Sequence, residues 1–225
     1  MNPILILGYE RSGTTLLRRI VSMHPGLDYE LVHENAKKLY SCQTRKQALR
    51  KMTYPGTQAG KRTGSTMSIR AGQKIPYMTL KEAKRAYKKF DSLFDTFRVI
   101  HITRNPVGCI NSQVKTFNRD PSRCVRNYFN SVPQVSKLLA DHPKILRVQY
   151  EDLVGDPRHE IARIYSWVGG EVSDEHIKAV MSIRDPWKCD GRVMPGLRYF
   201  DRIEKQKRRI ILPAKLVNKI EKEMR

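Results

Sequence analysis

The sequence predicts a doubly wound α/β fold, in which a mostly parallel sheet is flanked by helices and irregular loops lie on the substrate side. Three short apolar runs rich in β-branched residues indicate buried parallel strands. They cover residues 4–7, 97–102 and 145–148. Segments of helical period lie between these runs, as expected for a parallel sheet. A chain of 225 residues with 40% hydrophobic composition can bury one full core. We therefore predict a single domain over residues 1–225.

The remaining elements are predicted from the spacing of apolar residues and from turn-forming residues. The predicted helices cover residues 14–23, 35–52, 80–90, 107–117, 122–141 with an interruption at Pro133, 158–168 and 213–225. A further strand is predicted over 27–33, where Asp28 and Glu30 alternate with apolar residues as near a sheet edge. Residues 53–76 and 184–200 lack periodicity, and we interpret them as functional loops.

The chain is strongly basic, with 43 Lys and Arg against 22 Asp and Glu and a formal net charge of +21. Such a surface favours anionic ligands, but it does not distinguish a polynucleotide, an acidic lipid, a sulfated glycan or a phosphorylated cofactor. The four cysteines show no CxxC pair and no metal-type spacing with histidines, so free thiols and no metal site are predicted. No signal peptide or membrane span is visible, which predicts a cytoplasmic location. The oligomeric state is not predicted.

The first predicted strand leads into a glycine-bracketed turn that opens directly into a helix. The turn runs from Gly8 to Thr15 and reads Gly-Tyr-Glu-Arg-Ser-Gly-Thr-Thr. A turn of this kind directs backbone N–H groups and the positive end of a helix dipole at one anion. The spacing of Gly8 and Gly13 equals that of a Walker A loop, but Thr14 stands where that loop has its lysine. Arg11 instead adds a cation inside the turn. A degenerate kinase loop and a plain capped turn remain alternatives.

A second candidate anion site follows the strand over 97–102. Arg104 stands at its end, and Ser112 follows eight residues later. On a helix that begins near Pro106, Ser112 lies about two turns in, so both side chains can approach one phosphate. A simple Arg-Asn-Pro capping turn with a solvated Ser112 is the alternative. Tyr150 begins a third segment after a strand, which reads Tyr-Glu-Asp-Leu.

These motifs together resemble the sulfotransferase family. The segment Arg-Ser-Gly-Thr-Thr-Leu-Leu at residues 11–17 is similar to the family's 5′-phosphosulfate loop, especially in tyrosylprotein and carbohydrate sulfotransferases. Arg104 with Ser112 resembles its 3′-phosphate motif, and the segment at Tyr150 resembles the Tyr-Glu-x-Leu segment that closes the nucleotide side. The resemblance covers residues 4–154. It implies a fold of the P-loop type.

The resemblance also implies the donor. This is 3′-phosphoadenosine-5′-phosphosulfate (PAPS), which leaves adenosine-3′,5′-bisphosphate (PAP) as product, and no metal is required. The residues implied in donor binding are Arg11, Ser12, Gly13, Thr14, Thr15, Leu16, Arg104, Ser112 and Tyr150. A late basic loop is expected to cover the 3′-phosphate through Arg192, Gly196 and Arg198.

Catalytic residues are predicted with alternatives left open. Lys74 lies in a segment similar to the Lys-x-Pro segment of carbohydrate sulfotransferases. It would join Arg11 in stabilising charge on the leaving oxygen. The alternative is that Lys74 is a solvated lysine in a loop.

The base is expected at the carboxyl end of the second strand, from the geometry of a doubly wound fold. Relatives place a catalytic glutamate at the position that Val32 occupies here, which is a departure. We therefore predict Glu34 as the base, with His33 and Glu30 as alternatives. Glu34 could also be a helix-terminal charge.

The sequence thus predicts in-line transfer of a sulfuryl group to a hydroxyl of a glycan, a peptidyl tyrosine or a small molecule. The basic surface leaves an acidic or polyanionic acceptor open. A nucleotide or small-molecule kinase would require a Walker lysine, and Thr14 contradicts it. A nucleic-acid-binding protein would explain the net charge but not the paired anion motifs, so a nucleic-acid partner is not expected.

Overall fold

The computed structural model describes residues 3–25, 30–31, 39–54, 72–182, 188–189, 192–193 and 210–224. Its strands are β1 (Ile4–Tyr9), β2 (Glu30–Leu31), β3 (Thr53–Tyr54), β4 (Gly72–Tyr77), β5 (Arg98–Thr103), β6 (Ile145–Gln149), β7 (Lys188–Cys189) and β8 (Arg192–Val193). Its helices are α1 (Thr14–Ser22), α2 (Arg45–Met52), α3 (Leu80–Asp91), α4 (Pro106–Phe117), α5 (Pro121–Leu138), α6 (Tyr150–Gly155), α7 (Pro157–Gly169), α8 (Asp174–Ser182) and α9 (Ala214–Glu223).

Four strands form an all-parallel central sheet in the order β4-β1-β5-β6. Because these strands are parallel, their carboxyl ends meet at one edge, where open α/β sheets bind ligands. The loops after β1 and β5, which hold the two candidate anion motifs, are neighbours at this edge since β1 pairs directly with β5. The predicted α/β fold is confirmed.

The sheet separates two hydrophobic clusters. Alternate side chains of β1 point to opposite faces, so Leu5 and Leu7 join one cluster while Ile4 and Ile6 join the other. Helices α3, α4, α5 and α9 cover the first face, and α1, α7 and α8 cover the second. Burial on both faces explains why these strands read as continuous apolar runs.

The prediction of an irregular loop over 53–76 is wrong at its carboxyl end. Gly72–Tyr77 forms β4, which pairs in parallel with β1. Its sequence, Gly-Gln-Lys-Ile-Pro-Tyr, lacks an apolar run and contains a proline, which removes a ladder donor. Among the described residues β4 lies at the sheet edge, and an edge strand tolerates Pro76 because one side of its ladder is not used.

Three further predictions are corrected. The helix predicted over 35–52 is broken at residues 41–44, where Thr44 Oγ1 accepts the N–H of Gln47 and starts α2. Pro133 lies inside α5 without interrupting it, and its side chain is exposed. The described part of the predicted strand over 27–33 is β2, which pairs with β3 in a separate antiparallel ladder. Helices α6 and α8 were not predicted.

Candidate active site

The turn between β1 and α1 is built around two glycines. Gly13 has φ 101°, in the left-handed region, and a Cβ there would stand 2.5 Å from the Tyr150 ring. A Cβ on Gly8 would stand 2.6 Å from Ser12 Oγ and from Ile102 Cγ2. Neither position therefore accepts a side chain without moving its neighbours. The glycines bring β5 and the Tyr150 ring against the turn.

The turn presents donors that its own side chains do not use. No side chain caps the N-terminus of α1, and the first N–H groups of a helix have no partner within it. Ser12 is fully buried, and its Oγ has no hydrogen-bond partner among the described residues. Leu16 packs into the core, so only its backbone is available to a ligand. The arrangement is an anion cradle at a helix N-terminus.

The two predicted anion motifs are in direct contact. Arg11 Nε donates to Ser112 Oγ at 3.1 Å, across 101 residues of sequence. Arg104 Nη1 donates to the backbone oxygen of Arg11 at 3.1 Å, which supports Arg11 in its left-handed conformation at φ 73°. The loop after β1 and the loop after β5 therefore form one site.

Arg104 is held on several sides. The Tyr150 ring centroid lies 4.1 Å from its guanidinium carbon, and Tyr128 Oη donates to its backbone oxygen at 2.5 Å. A Cβ on Gly108 would stand 3.2 Å from Arg104 Nε, so glycine leaves room for the guanidinium. Arg104 Nε is buried and has no partner among the described residues. A fixed guanidinium with an unused N–H is suited to a phosphate oxygen.

The segment after Arg104 is braced by short-range bonds. Asn105 Oδ1 accepts the N–H of Val107 and caps α4, which begins with Pro106 at its first position. Glu151 Oε1 accepts the N–H of Asn105 at 3.0 Å, which ties this turn to α6. Ser112 lies on the buried side of α4 and faces Arg11 rather than solvent. The alternative of a solvated Ser112 is therefore wrong.

Lys74 is fully buried on β4, so the alternative of a solvated loop lysine is wrong as well. It pairs in register with Ile6 of β1. Its Nζ donates to Thr15 Oγ1 at 3.1 Å. A second cation thus reaches the first turn of α1, on the opposite side of β1 from Arg104.

A cleft of about 560 Å³ lies beside the cradle, at the carboxyl ends of β1 and β4. Its lining comprises Glu10, Tyr40, Ile75, Pro76, Met78, Glu82 and Arg85.

Glu10 belongs to both the turn and the cleft, and it forms an ion pair with Arg119. Arg119 and Arg11 both lie against the Phe117 ring, at 4.6 and 5.7 Å from its centroid. The cleft is where an acceptor could meet the cradle.

Several buried groups near the site are unsuited to proton transfer. Burial raises the pKa of Tyr9 and of Tyr128, and it raises the pKa of the Cys109 thiol to about 12. Burial lowers the pKa of His101 to about 4, so its imidazole is neutral near pH 7. Groups with pKa values this far from neutrality are poor general bases.

The predicted base and the late loop lie outside the described residues. This applies to His33, Glu34, Gly196 and Arg198, while Glu30 and Arg192 are described only as backbone within β2 and β8. β2, the described part of the predicted second strand, is not a neighbour of β1 in the central sheet, but it contacts α1 and β4. The neighbours of β1 there are β4 and β5.

Three general properties complete the description. Cys109 and Cys124 are buried and form no disulfide within the described residues. The described ranges contain no group of three His, Cys, Asp or Glu side chains that could hold a metal ion. None of the helices in the described ranges is long and apolar enough to cross a membrane.

Sequence reasoning missed the residues that act through long-range contacts. No motif pointed to Tyr128, to the pair of Glu10 and Arg119, or to the pair of Tyr40 and Arg85. The partners in these contacts are far apart in the chain, for example 109 residues for Glu10 and Arg119.

Comparison with known proteins gives consistent results. The family model described as "Sulfotransferase domain" matches residues 1–183. The chain is similar to the sulfotransferase domain of the Synechococcus PCC 7002 olefin synthase, with 22% identity, a TM-score of 0.58 and coverage of 98% of this chain and 87% of that one. The sulfotransferase domain from the curacin biosynthetic pathway has 16% identity, a TM-score of 0.60 and coverage of 99% and 97%.

Mouse sulfotransferase SULT7A1, solved in complex with PAP, has 13% identity, a TM-score of 0.56 and coverage of 99% of this chain and 82% of that one. At these identities the solved structures support the fold alone. The comparison with curated protein sequences gives no match.

Proposed function

Because the chain belongs to the family of PAPS-dependent sulfotransferases, we propose that it moves the sulfuryl group of PAPS to a hydroxyl of an acceptor held in the cleft beside Glu10. The acceptor classes that remain are a glycan, a peptidyl tyrosine and a small molecule. The single-domain organisation and the cytoplasmic location stay predictions from the sequence.

The observation that carries the donor assignment is the contact between the two anion motifs. PAPS has two anionic groups on one ribose, a 5′-phosphosulfate and a 3′-phosphate, whereas ATP has no 3′-phosphate. The cradle of Ser12, Gly13, Thr14 and Thr15 fits the first group, and the buried Ser12 Oγ lacks a partner among the described residues. Arg104 and Ser112 fit the second, with Arg104 Nε likewise unused there. Arg11 belongs to the first motif and contacts both Arg104 and Ser112 of the second, which suits a ligand that spans the two.

One contact indirectly supports the proposal that the late basic loop covers the 3′-phosphate. Its proposed ligands are Arg192, Gly196 and Arg198. After this loop the described chain resumes at residue 210, where the N–H of Ile211 donates to Asn111 Oδ1 at 2.9 Å. Asn111 precedes Ser112 on α4, so the chain that follows the loop lies, at Ile211, near the proposed 3′-phosphate site.

The transfer needs no metal in this proposal. The Glu34 carboxylate takes the acceptor's hydroxyl proton as the acceptor oxygen bonds to sulfur. The bond from sulfur to the bridging oxygen breaks, and its electron pair remains on the 5′-phosphate of PAP. Arg11, Lys74 and the α1 N-terminus stabilise this charge. Stabilising a developing charge with fixed donors is usually the largest single contribution to catalysis. His33 and Glu30 are the alternative bases.

Replacing Arg11 or Arg104 by alanine should weaken binding of PAP by about 1.5–3 kcal/mol, the usual loss for a charge-assisted contact. This corresponds to a dissociation constant roughly 10- to 150-fold higher. Isothermal titration calorimetry of each variant with PAP measures the change. The effect of Arg104→Ala includes the loss of its support for the Arg11 backbone.

A matched control is Arg123→Ala, which removes the same charge from the exposed surface of α5. It should leave PAP affinity nearly unchanged, because the charge of an exposed side chain is screened by solvent and salt. PAP affinity as in the unaltered protein for both Arg11→Ala and Arg104→Ala would overturn the site assignment.

A further inference from the structure

Helix α5 lies against the carboxyl edge of the central sheet, beside the loops that hold the two anion motifs. Two of its side chains donate hydrogen bonds to backbone carbonyls at this edge. Tyr128 Oη donates to the carbonyl oxygen of Arg104 at 2.5 Å, just after β5. Ser131 Oγ donates to the carbonyl oxygen of Met78 at 3.2 Å, just after β4. Because β1 lies between β4 and β5, the helix is fixed on both sides of the strand that leads into the anion cradle.

The ring of Tyr128 contacts the end of β1. It packs edge-on against the ring of Tyr9, the last residue of that strand, with 5.1 Å between the ring centroids. Tyr9 leads directly into the turn, and its carbonyl oxygen accepts the N–H of Ser12 at 2.9 Å. One side chain of α5 therefore touches the beginning of the first anion loop with its ring and the beginning of the second with its hydroxyl.

The hydroxyl of Tyr128 is a fixed donor. Tyr128 is 7% exposed, and its bond to Arg104 is partly shielded from water. Burial raises the pKa of Tyr128, so the hydroxyl keeps its proton at neutral pH. A hydrogen bond is stronger where water is excluded, and a shielded carbonyl that loses its donor is costly. The bond therefore holds the backbone of the turn that follows β5.

The orientation of the Arg104 guanidinium depends on this backbone. Nη1 of Arg104 donates to the Arg11 backbone oxygen at 3.1 Å, and its guanidinium carbon lies 4.1 Å from the centroid of the Tyr150 ring. These contacts leave Nε buried without a partner among the described residues, where an anion can accept its N–H. A planar, rigid fork is directed at one oxygen only when the backbone that carries it is fixed as well. Tyr128 provides the contact that fixes it.

From these observations we propose that Tyr128 is a positioning residue for the 3′-phosphate of the donor, because its hydroxyl holds the Arg104 backbone and so orients the guanidinium before the donor binds. This inference rests on the donor site proposed above and extends it to a residue that belongs to no motif. Tyr128 acts through Arg104 rather than by contact with the nucleotide. Without the hydroxyl, the ligand has to order the turn after β5, and this ordering opposes binding.

The test is isothermal titration calorimetry with PAP in a double-mutant cycle of Tyr128→Phe and Arg104→Ala. Tyr128→Phe removes only the hydroxyl and keeps the ring that packs on Tyr9. It should raise the dissociation constant for PAP about three- to tenfold, the range for one hydrogen bond. In protein that already carries Arg104→Ala, the same change should raise it less than about twofold, which is within the error of such cycles. The reason is that the guanidinium oriented by the bond is then absent.

The matched control is Tyr165→Phe on α7. Tyr165 is fully buried, and its hydroxyl donates to the carbonyl oxygen of Ile20 at 2.9 Å on the other face of the sheet. The change therefore removes the same kind of bond at a place that does not touch Arg104. Tyr165→Phe should leave PAP affinity unchanged. The thermal unfolding midpoint is measured for every variant, so that a loss of stability is separated from a loss of affinity.

Three results would overturn the positioning role and leave the donor site standing. The first is an unchanged dissociation constant for PAP in Tyr128→Phe. The second is an equal loss of affinity with and without the Arg104 side chain, which would show a purely structural role. The third is a Tyr128→Phe variant that does not fold, which would assign the hydroxyl to the stability of the whole protein. If the unaltered protein does not bind PAP, the donor site itself is rejected, and the positioning role with it.

Discussion

Replacing Lys74 by methionine is expected to lower turnover by about 10²- to 10³-fold, the usual loss for one donor at a developing oxyanion. Lys74 Nζ lies 3.1 Å from Thr15 Oγ1 in the first turn of α1, where the bridging oxygen of the donor would gain charge. Because this charge is fully developed on the 5′-phosphate of PAP, affinity for PAP should fall as well. The measurement is the rate of PAP release with an acceptor found by screening, beside calorimetric titration with PAP.

Methionine is the informative replacement because Lys74 is fully buried. Its unbranched, apolar side chain has a similar length and keeps the packing of β4 without the charge. The thermal unfolding midpoint should therefore not fall. Turnover equal to that of the unaltered protein, in a Lys74→Met variant that is folded, would show that the lysine is structural and would remove it from the mechanism.

Replacing Glu34 by glutamine should lower turnover by roughly 10²- to 10⁴-fold while donor binding is retained, if Glu34 takes the proton of the acceptor. Glutamine keeps the size and polarity of the side chain but cannot accept a proton at neutral pH. The measurement is again PAP release under saturating donor, together with calorimetric titration with PAP.

The neighbouring candidates serve as controls for this assignment. Glu30→Gln and His33→Ala should retain turnover much closer to that of the unaltered protein. Normal turnover in Glu34→Gln, with a loss in one of these two variants, would assign the base to that residue instead. Tyr9 and His101 do not compete for the role, since burial moves their pKa values away from neutrality.

The sequence was sufficient for the parts of the site that depend on local spacing. The strand–turn–helix at Gly8–Thr15 needs two glycines at fixed positions. The second is Gly13, whose positive φ requires a residue without a Cβ. Arg104, Pro106 and Ser112 are likewise close in the chain, so a helix start and 3.6 residues per turn place them together. Their prediction used this local geometry together with the resemblance to the family's 3′-phosphate motif.

The rest of the site depends on contacts that no local pattern encodes. β4 was missed because an edge strand can carry Lys74 and Pro76 without an apolar run. The hydrogen bond from Tyr128 to Arg104 and the pairing of Glu10 with Arg119 join separate helices and loops. The approach of Arg11 to Ser112 follows from the pairing of β1 with β5, which spacing along the chain does not reveal.

The central claim is that one site binds a nucleotide through both a 5′-phosphosulfate and a 3′-phosphate. Calorimetric titration with PAP, with 5′-AMP and with ATP plus Mg²⁺ tests it most directly. We expect a strong preference for PAP over the other two, because only PAP has the 3′-phosphate that Arg104 and Ser112 are proposed to bind. A preference for ATP, or no binding of any of the three, would contradict it.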